Sequence, residues 1–191
     1  MRGKSDTGGV LSDKYTVPPF SILDVASGPW QELKGAWLRQ GIRSEKGRGE
    51  NLLDYSELIL QKGGNGTSVF DPVLCELMYK WFAPSRGQVV DPFAGGSVRG
   101  IVAGALGYKY WGCDLSEEQI KENLKQAEEI NKIPGALRPM PEWVVGDSRV
   151  MLDDAPEADF LFSCPPYGDK EEYSDEGADL SAMGNTDFMK A

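Results

Sequence analysis

Apolar residues along this chain recur with two periods, and from Phe70 onward the two take turns. DPVLCELMYKWFAP (Asp71–Pro84) is apolar at helical spacing, with Pro72 in its first turn, where a missing amide is harmless, and Pro84 past its end. GQVVDPF (Gly87–Phe93) reads as a short buried strand that breaks into the glycine-rich AGGSVRG. SVRGIVAGALG (Ser97–Gly107) predicts a helix of small residues closed by Gly107, and YKYWGCDL (Tyr108–Leu115) a second strand. Ser116 and Gln119 have capping-box spacing ahead of a helix whose Ile120, Leu124, Ala127 and Ile130 share one face. EWVVGDS (Glu142–Ser148) and DFLFS (Asp159–Ser163) predict a third and a fourth strand. Strands alternating with helices imply a mostly parallel sheet in a doubly wound α/β domain.

The pattern before Phe70 is less regular. Residues 1 to about 14 read as a tail. PWQELKGAWLRQG (Pro29–Gly41) carries Trp30, Leu33, Trp37 and Leu38 at helical spacing, with Gly41 as its stop. SEKGRGE follows as a loop, LLDYSELILQ (Leu52–Gln61) as a second short element, helix or strand, and KGGNGTS (Lys62–Ser68) as a connector. The organisation expected is an N-terminal extension over 1–60 and a core domain over 61–191, without an internal repeat.

Composition narrows the chemistry. A chain of 191 residues with 40% hydrophobic content is one domain's worth with an ordinary core. No run is long enough to span a membrane, and MRGKSDTGG lacks the apolar stretch of a secretory signal, so a cytoplasmic location is expected. Cys75, Cys113 and Cys164 are far apart, odd in number and accompanied by no histidine, which argues against a zinc site and a disulfide framework and excludes Ser-His-Asp and Cys-His catalysis. The net charge of -10 is unlike that of a protein that grips nucleic acid through a broad basic face. Its distribution is uneven: DKEEYSDEGAD (Asp169–Asp179) holds six acids and one lysine, whereas GIRSEKGRGE (Gly41–Glu50) is locally basic and is a candidate phosphate contact.

Two features carry candidate chemistry. Asp91, Asp114 and Asp147 each sit at or just past the carboxyl end of a predicted strand, the edge where open α/β sheets bind ligands. Gly95 and Gly96 in FAGGS let a ligand approach the backbone, Asp114 is placed to accept ribose hydroxyls, and Asp147 to accept from an adenine amino group. The second feature is FSCPPYGD (Phe162–Asp169). Pro165 and Pro166 fix φ twice and remove two amide donors, so the corner is stiff and leaves carbonyls unclaimed, with the ring of Tyr167 beyond.

The ordered set resembles the class I S-adenosylmethionine-dependent methyltransferases, and more narrowly the amino-methylating DNA methyltransferases (N6-adenine or N4-cytosine), particularly phage-type DNA methylases. DPFAGGS is similar to their Asp-Pro-Phe-x-Gly-x-Gly motif, CPPY to their [Asn/Asp/Ser]-Pro-Pro-[Tyr/Phe/Trp] motif, and TSVFDP (Thr67–Pro72) to the segment beside the methionine end of the cofactor. The resemblance covers about Thr67 to Asp169. It implies a Rossmann-like methyltransferase fold, S-adenosyl-L-methionine as cofactor and DNA as substrate. Thr67, Ser68, Phe70, Pro72, Asp91, Pro92, Phe93, Gly95, Gly96, Ser97, Asp114, Leu115, Asp147 and Ser148 are then the cofactor-binding residues, and Cys164, Pro165, Pro166 and Tyr167 the catalytic ones. In that family the first motif residue and the carbonyl after it accept hydrogens from the target amine, and the aromatic ring stacks on a base flipped from the duplex.

The chain departs from the pattern in two places. Cys164 stands where Asn, Asp or Ser is usual, and neutral sulfur is a weak acceptor. Either the Pro165 carbonyl suffices, or Cys164 acts as a thiolate, or activity is reduced. Ser163, one residue earlier, points to the other face if the backbone alternates. A covalent C5-cytosine role for Cys164 is disfavoured because those enzymes use a Pro-Cys order. Ser97 stands where the last glycine is usual, and Gly96 is expected to supply that freedom. Class I methyltransferases order seven strands 3-2-1-4-5-7-6, and only the first four are predicted here. The fourth would be left as an apolar open edge, so the rest of the sheet is expected from a missing C-terminal segment or a second chain. Methylation of RNA or of a protein glutamine, and a cofactor-binding subunit without catalysis, are the alternative functions.

Overall fold

The computed structural model describes residues 24–26, 28–43, 70–165 and 183 of the chain. Strand β1 (Gln88–Asp91) shows how the alternation of side chains builds two faces. Val89 joins a large buried cluster and Val90 a small one on the opposite side. The next strand, β2 (Lys109–Asp114), pairs with β1 in parallel from Gln88↔Lys109 to Asp91↔Gly112, and its Tyr110 and Trp111 divide between the same two faces. Strand β3 (Glu142–Val145) pairs with β2 from Trp111↔Glu142 to Asp114↔Val145. Strand β4 (Phe160–Leu161) pairs with β1 through Val89↔Phe160 and Val90↔Leu161. The result is an α/β fold with a parallel sheet in the order β3-β2-β1-β4. Because all four strands run the same way, their carboxyl ends share one edge.

The described helices are α1 (Gly28–Arg39), α2 (Pro72–Phe82), α3 (Val98–Leu106), α4 (Glu117–Asn131) and the single turn α5 (Ser148–Met151), which runs into a 3-10 turn over Leu152–Asp154. Asp71 caps α2 by accepting from Val73 N–H, and Pro72 fills the first helical position. Tyr79, Ile101, Val102, Ile120 and Ala127 bury the large face of the sheet. The opposite face, around Val90, Trp111 and Cys113, is covered by Val144, Met151 and Ala155. Coverage there is thin among the described residues, since Leu161, in register with Val90, is 62% exposed.

Helix α1 belongs to the same core. Trp30 and Trp37, two turns apart, are both buried in the large cluster, and each indole finds a carboxylate. Trp37 Nε1–H donates to Glu76 at 2.7 Å and Trp30 Nε1–H to Asp71 at 3.3 Å, while Lys34 pairs with Asp71 at 3.0 Å. Leu33 and Leu38, which share the helical spacing, stay 37% and 47% exposed, because α1 turns its tryptophan face toward α2. Beyond α1, Ile42 is buried, and the backbone of Arg43 is held at both N–H and C=O by the Gln126 side chain of α4. The expected division at residue 60, the SEKGRGE loop, LLDYSELILQ and KGGNGTS lie outside the described residues.

Helix α4 also differs from its periodic pattern. Ser116 caps it by accepting from Gln119 N–H at 3.2 Å, but the Gln119 amide turns to Asn123 instead of closing the box. Leu124 is 42% exposed, and the inward face is Ile120, Asn123, Ala127 and Ile130, flanked by Gln119 and Gln126. The rotation has a cause: Asn123 donates to the Gly95 carbonyl in the turn before α3 and Gln126 accepts from the Ser97 hydroxyl at its N-cap, which an apolar Leu124 cannot do.

Among the described residues no helix is long and apolar enough to cross a membrane, and no group of three or more His, Cys, Asp or Glu side chains is arranged to hold a metal ion.

Replacing Trp37 by alanine is expected to cost about 3–5 kcal/mol in urea unfolding, because it empties a buried indole site and strips Glu76 of a partner. A cost below about 1 kcal/mol, the size of an ordinary surface change, would show α1 to be peripheral.

Candidate functional site

Strand β1 ends in a carboxylate with no access to solvent. Asp91 Oδ2 accepts from Arg99 Nε at 2.6 Å and from Tyr110 Oη at 2.7 Å, and Oδ1 accepts from Ser163 Oγ at 2.6 Å and from Phe93 N–H at 3.3 Å. These four donors come from α3, β2, the segment after β4 and the turn after β1. Asp91 is therefore a structural hub, and an outside amine would reach it only by displacing one of them. Burial alone would pull the Arg99 guanidinium down, but the adjoining Asp91 charge holds it above the ordinary arginine value. Burial first, and Asp91 second, push the Tyr110 hydroxyl up, so it stays a donor.

Arg99 also shapes the glycine turn. Its Nη2 donates to the carbonyls of Phe93 at 2.6 Å and Ala94 at 3.0 Å, and its guanidinium lies 4.8 Å from the centre of the Phe70 ring. Phe70 meets Phe162 edge-on at 5.5 Å, which joins the segment before α2 to the end of β4. Pro92 is buried beside Asp91. The left-handed residue of the turn is Gly95, at φ 49°, and not Gly96 as expected. Gly95 N–H donates to Asp114 Oδ2 at 2.8 Å, and its carbonyl accepts from Asn123 at 2.7 Å. Close approach explains a second glycine: a Cβ on Gly112 would lie 2.8 Å from the Tyr110 hydroxyl oxygen and 2.9 Å from Ala94 Cβ. Ser97, buried at the start of α3, makes no cap bond and donates to Gln126 at 2.9 Å.

Asp114 ends β2 at the sheet rim. Beside its bond from Gly95, its Oδ1 accepts from Ser116 N–H at 2.9 Å, with half-buried Leu115 between them. Gly146 N–H donates to the Asp114 carbonyl at 2.9 Å, so the turn after β3 is fastened to the end of β2. There Asp147 caps α5 and engages Arg149 at 2.6 Å, beside buried Ser148. Its hydrogen bonds from the Arg149 side chain hold the Asp147 carboxyl below the ordinary aspartate value. Cys113 lies just behind this rim, its thiol pushed up to about 12 by burial, with the charges of Asp114, Asp147 and Asp91 adding to the shift. Cys75 is likewise pushed up by burial, so neither thiol is a nucleophile at neutral pH.

The last bond of the β4–β1 ladder runs from Phe162 N–H to the Val90 carbonyl at 3.1 Å. Ser163 follows, turned toward Asp91; Cys164 is partly exposed and Pro165 exposed. Of the sequence-predicted site residues, Phe70, Asp91, Phe93, Gly95 and Asp114 are joined by contacts along one edge, and Ser163, just before the Cys164–Pro165 corner, is joined to them there. Asp147 stands at the same edge, paired with Arg149. Pro72 is buried as the first residue of α2. Thr67, Ser68, Pro166 and Tyr167 lie outside the described residues.

Sequence reasoning missed Arg99, Tyr110, Asn123 and Gln126. Arg99 did leave a signal, as the only charge in the small-residue run SVRGIVAGALG. Backbone alternation predicts that Ser163 faces away from Cys164, and the structure shows its partner on that side to be Asp91. Compared with known proteins, the chain matches no family model and no curated protein.

Arg99→Met leaves the Asp91 carboxylate buried without its counter-charge and should cost about 3–5 kcal/mol in urea unfolding; an unchanged midpoint would contradict the hub. Arg149→Ala should raise the Asp147 carboxyl toward the ordinary aspartate value, read from its side-chain carbon shift during an acid titration. The sign is fixed by the depression: any stabilisation from this pair is present above the unfolded-state pKa and is lost as pH falls through the folded one.

Proposed function

We propose that the chain is a class I, Rossmann-like methyltransferase that uses S-adenosyl-L-methionine to methylate an exocyclic amino group of a DNA base, adenine N6 or cytosine N4. One observation carries the reading: the DPFAGGS turn and the SCPPY corner, far apart in sequence, meet at the carboxyl edge of the sheet through Ser163, Asp91 and Phe93. The order β3-β2-β1-β4 agrees with the first four positions of the seven-stranded arrangement of class I methyltransferases.

The residues present fit such a cofactor. A left-handed Gly95 opens the backbone of the turn, Asp114 is held at the rim by two N–H groups in a posture suited to ribose hydroxyls, and Leu115 lies beside it. Asp147 is engaged by Arg149, but a solvent-exposed pair of this kind contributes little, and a base amino group can compete for the carboxylate. When bound, the cofactor supplies an electrophilic methyl group on a sulfonium.

The chain's own contribution is to position the amine. The lone pair of an exocyclic amine is delocalised into the ring, so acceptors for its hydrogens must favour a pyramidal nitrogen. Pro165 and Pro166 each have a fixed φ, which stiffens the backbone on both sides of the Pro165 carbonyl and suits it to accept one amine hydrogen in a set direction. Cys164 is a weak second acceptor, so the carbonyl carries most of this role. Tyr167 stacks on the flipped base. An in-line displacement of this kind depends on orientation more than on acid–base chemistry, which accords with a sequence without histidine.

The purified chain, given DNA and cofactor labelled in the methyl group, should produce N6-methyladenine or N4-methylcytosine on nucleoside mass spectrometry. Asp114→Ala should weaken cofactor binding by about tenfold or more, from loss of charge-assisted hydrogen bonds worth about 1.5–3 kcal/mol each. DNA left without a methylated base would overturn the reading, and label in RNA or in protein glutamine would redirect it.

A further inference from the structure

We propose that Ser163 is a positioning residue, whose hydroxyl sets the register of the Cys164–Pro165 corner against the glycine turn. What that register serves rests on the methyltransferase reading; the register itself does not. The β4–β1 ladder ends at the bond from Phe162 N–H to the Val90 carbonyl. Ahead lie Pro165 and Pro166, which have no N–H to offer β1. Where the ladder stops, the Ser163 side chain takes over: Oγ donates to Asp91 Oδ1 at 2.6 Å and accepts from Phe93 N–H at 3.1 Å.

The chemistry of the position is narrow. One oxygen must donate to a carboxylate and accept from an amide at once, which a hydroxyl does and alanine does not. Both partners are themselves fixed. Arg99 and Tyr110 hold Asp91, and Arg99 also grips the carbonyls of Phe93 and Ala94. The corner is thus referenced to a buried, rigid block. Only two residue steps, at most about 7 Å of chain, separate Ser163 from Pro165, so a change in the seating of Ser163 bears directly on the Pro165 carbonyl. A displacement of about 1 Å at a reacting centre is enough to cost about a hundredfold in rate.

A merely structural serine would lower stability, and any change in turnover would follow cofactor binding. A positioning serine separates the two. In the full chain, Ser163→Ala should speed hydrogen exchange at the Phe93 amide by about tenfold, since that amide keeps only its 3.3 Å contact with Asp91. Its kcat should fall about ten- to a hundredfold, with the Kd for S-adenosylhomocysteine changed by less than about threefold. Ser163→Thr, which keeps the hydroxyl, should restore both readouts. Ser163→Cys, which keeps the volume with a weaker hydrogen-bonding group, should resemble alanine and serves if the alanine variant does not fold. Wild-type exchange and turnover in Ser163→Ala or Ser163→Cys, or a Kd that weakens in step with kcat, would overturn the proposal while leaving the methyltransferase reading intact. A wild-type chain that transfers no methyl group would instead overturn that reading, and with it the catalytic purpose of the register.

Discussion

The buried pair of Asp91 and Arg99 is the constraint from which the rest of the carboxyl edge follows. Two opposite charges lie together in the core, and such a pair gives little net stability by itself, because desolvation consumes most of the attraction. Its value is organisational. The carboxylate gathers donors from β2, α3, the glycine turn and the residue after β4, while the guanidinium reaches two carbonyls of the turn. Removing either partner strands the other, so the arrangement persists only as a whole.

Polar residues are buried elsewhere for a similar purpose. Asn123 and Gln126 occupy the inner face of α4 at the expense of Leu124, which goes to solvent. Asn123 holds the Gly95 carbonyl, while Gln126 ties Ser97 to the backbone of Arg43. The segment that follows α1 is thereby coupled to the start of α3, two bonds from the left-handed glycine. The N-terminal region is not a loose appendage over residues 28–43, and it buttresses the same turn.

Much of the architecture was legible in the chain because local rules and tertiary packing agree. Val89 and Val90 alternate as a buried strand should, Asp71 and Pro72 open a helix, and Ser116 caps one. The candidate edge was legible for the same reason: Asp91 and Asp114 end strands, and parallel strands end together. What could not be read was the role of each acid. Asp91 and Asp114 look alike in sequence, yet one is saturated by four internal donors and the other is presented at the rim, a difference made by Arg99 and Ser163 from remote parts of the chain. Periodicity likewise misplaced Leu124, since hydrophobic spacing does not reveal which polar side chains have a partner waiting inside.

The most direct measurement is a backbone-amide NMR titration of the full chain with S-adenosylhomocysteine. A cofactor held at this edge predicts the largest shifts at Phe93, Gly95, Leu115, Ser116 and Ser148, with α1 and the exposed face of α4 unmoved. Shifts that scatter over the surface, cluster away from the carboxyl edge or fail to appear at saturating ligand would contradict the assignment of this edge as a cofactor site.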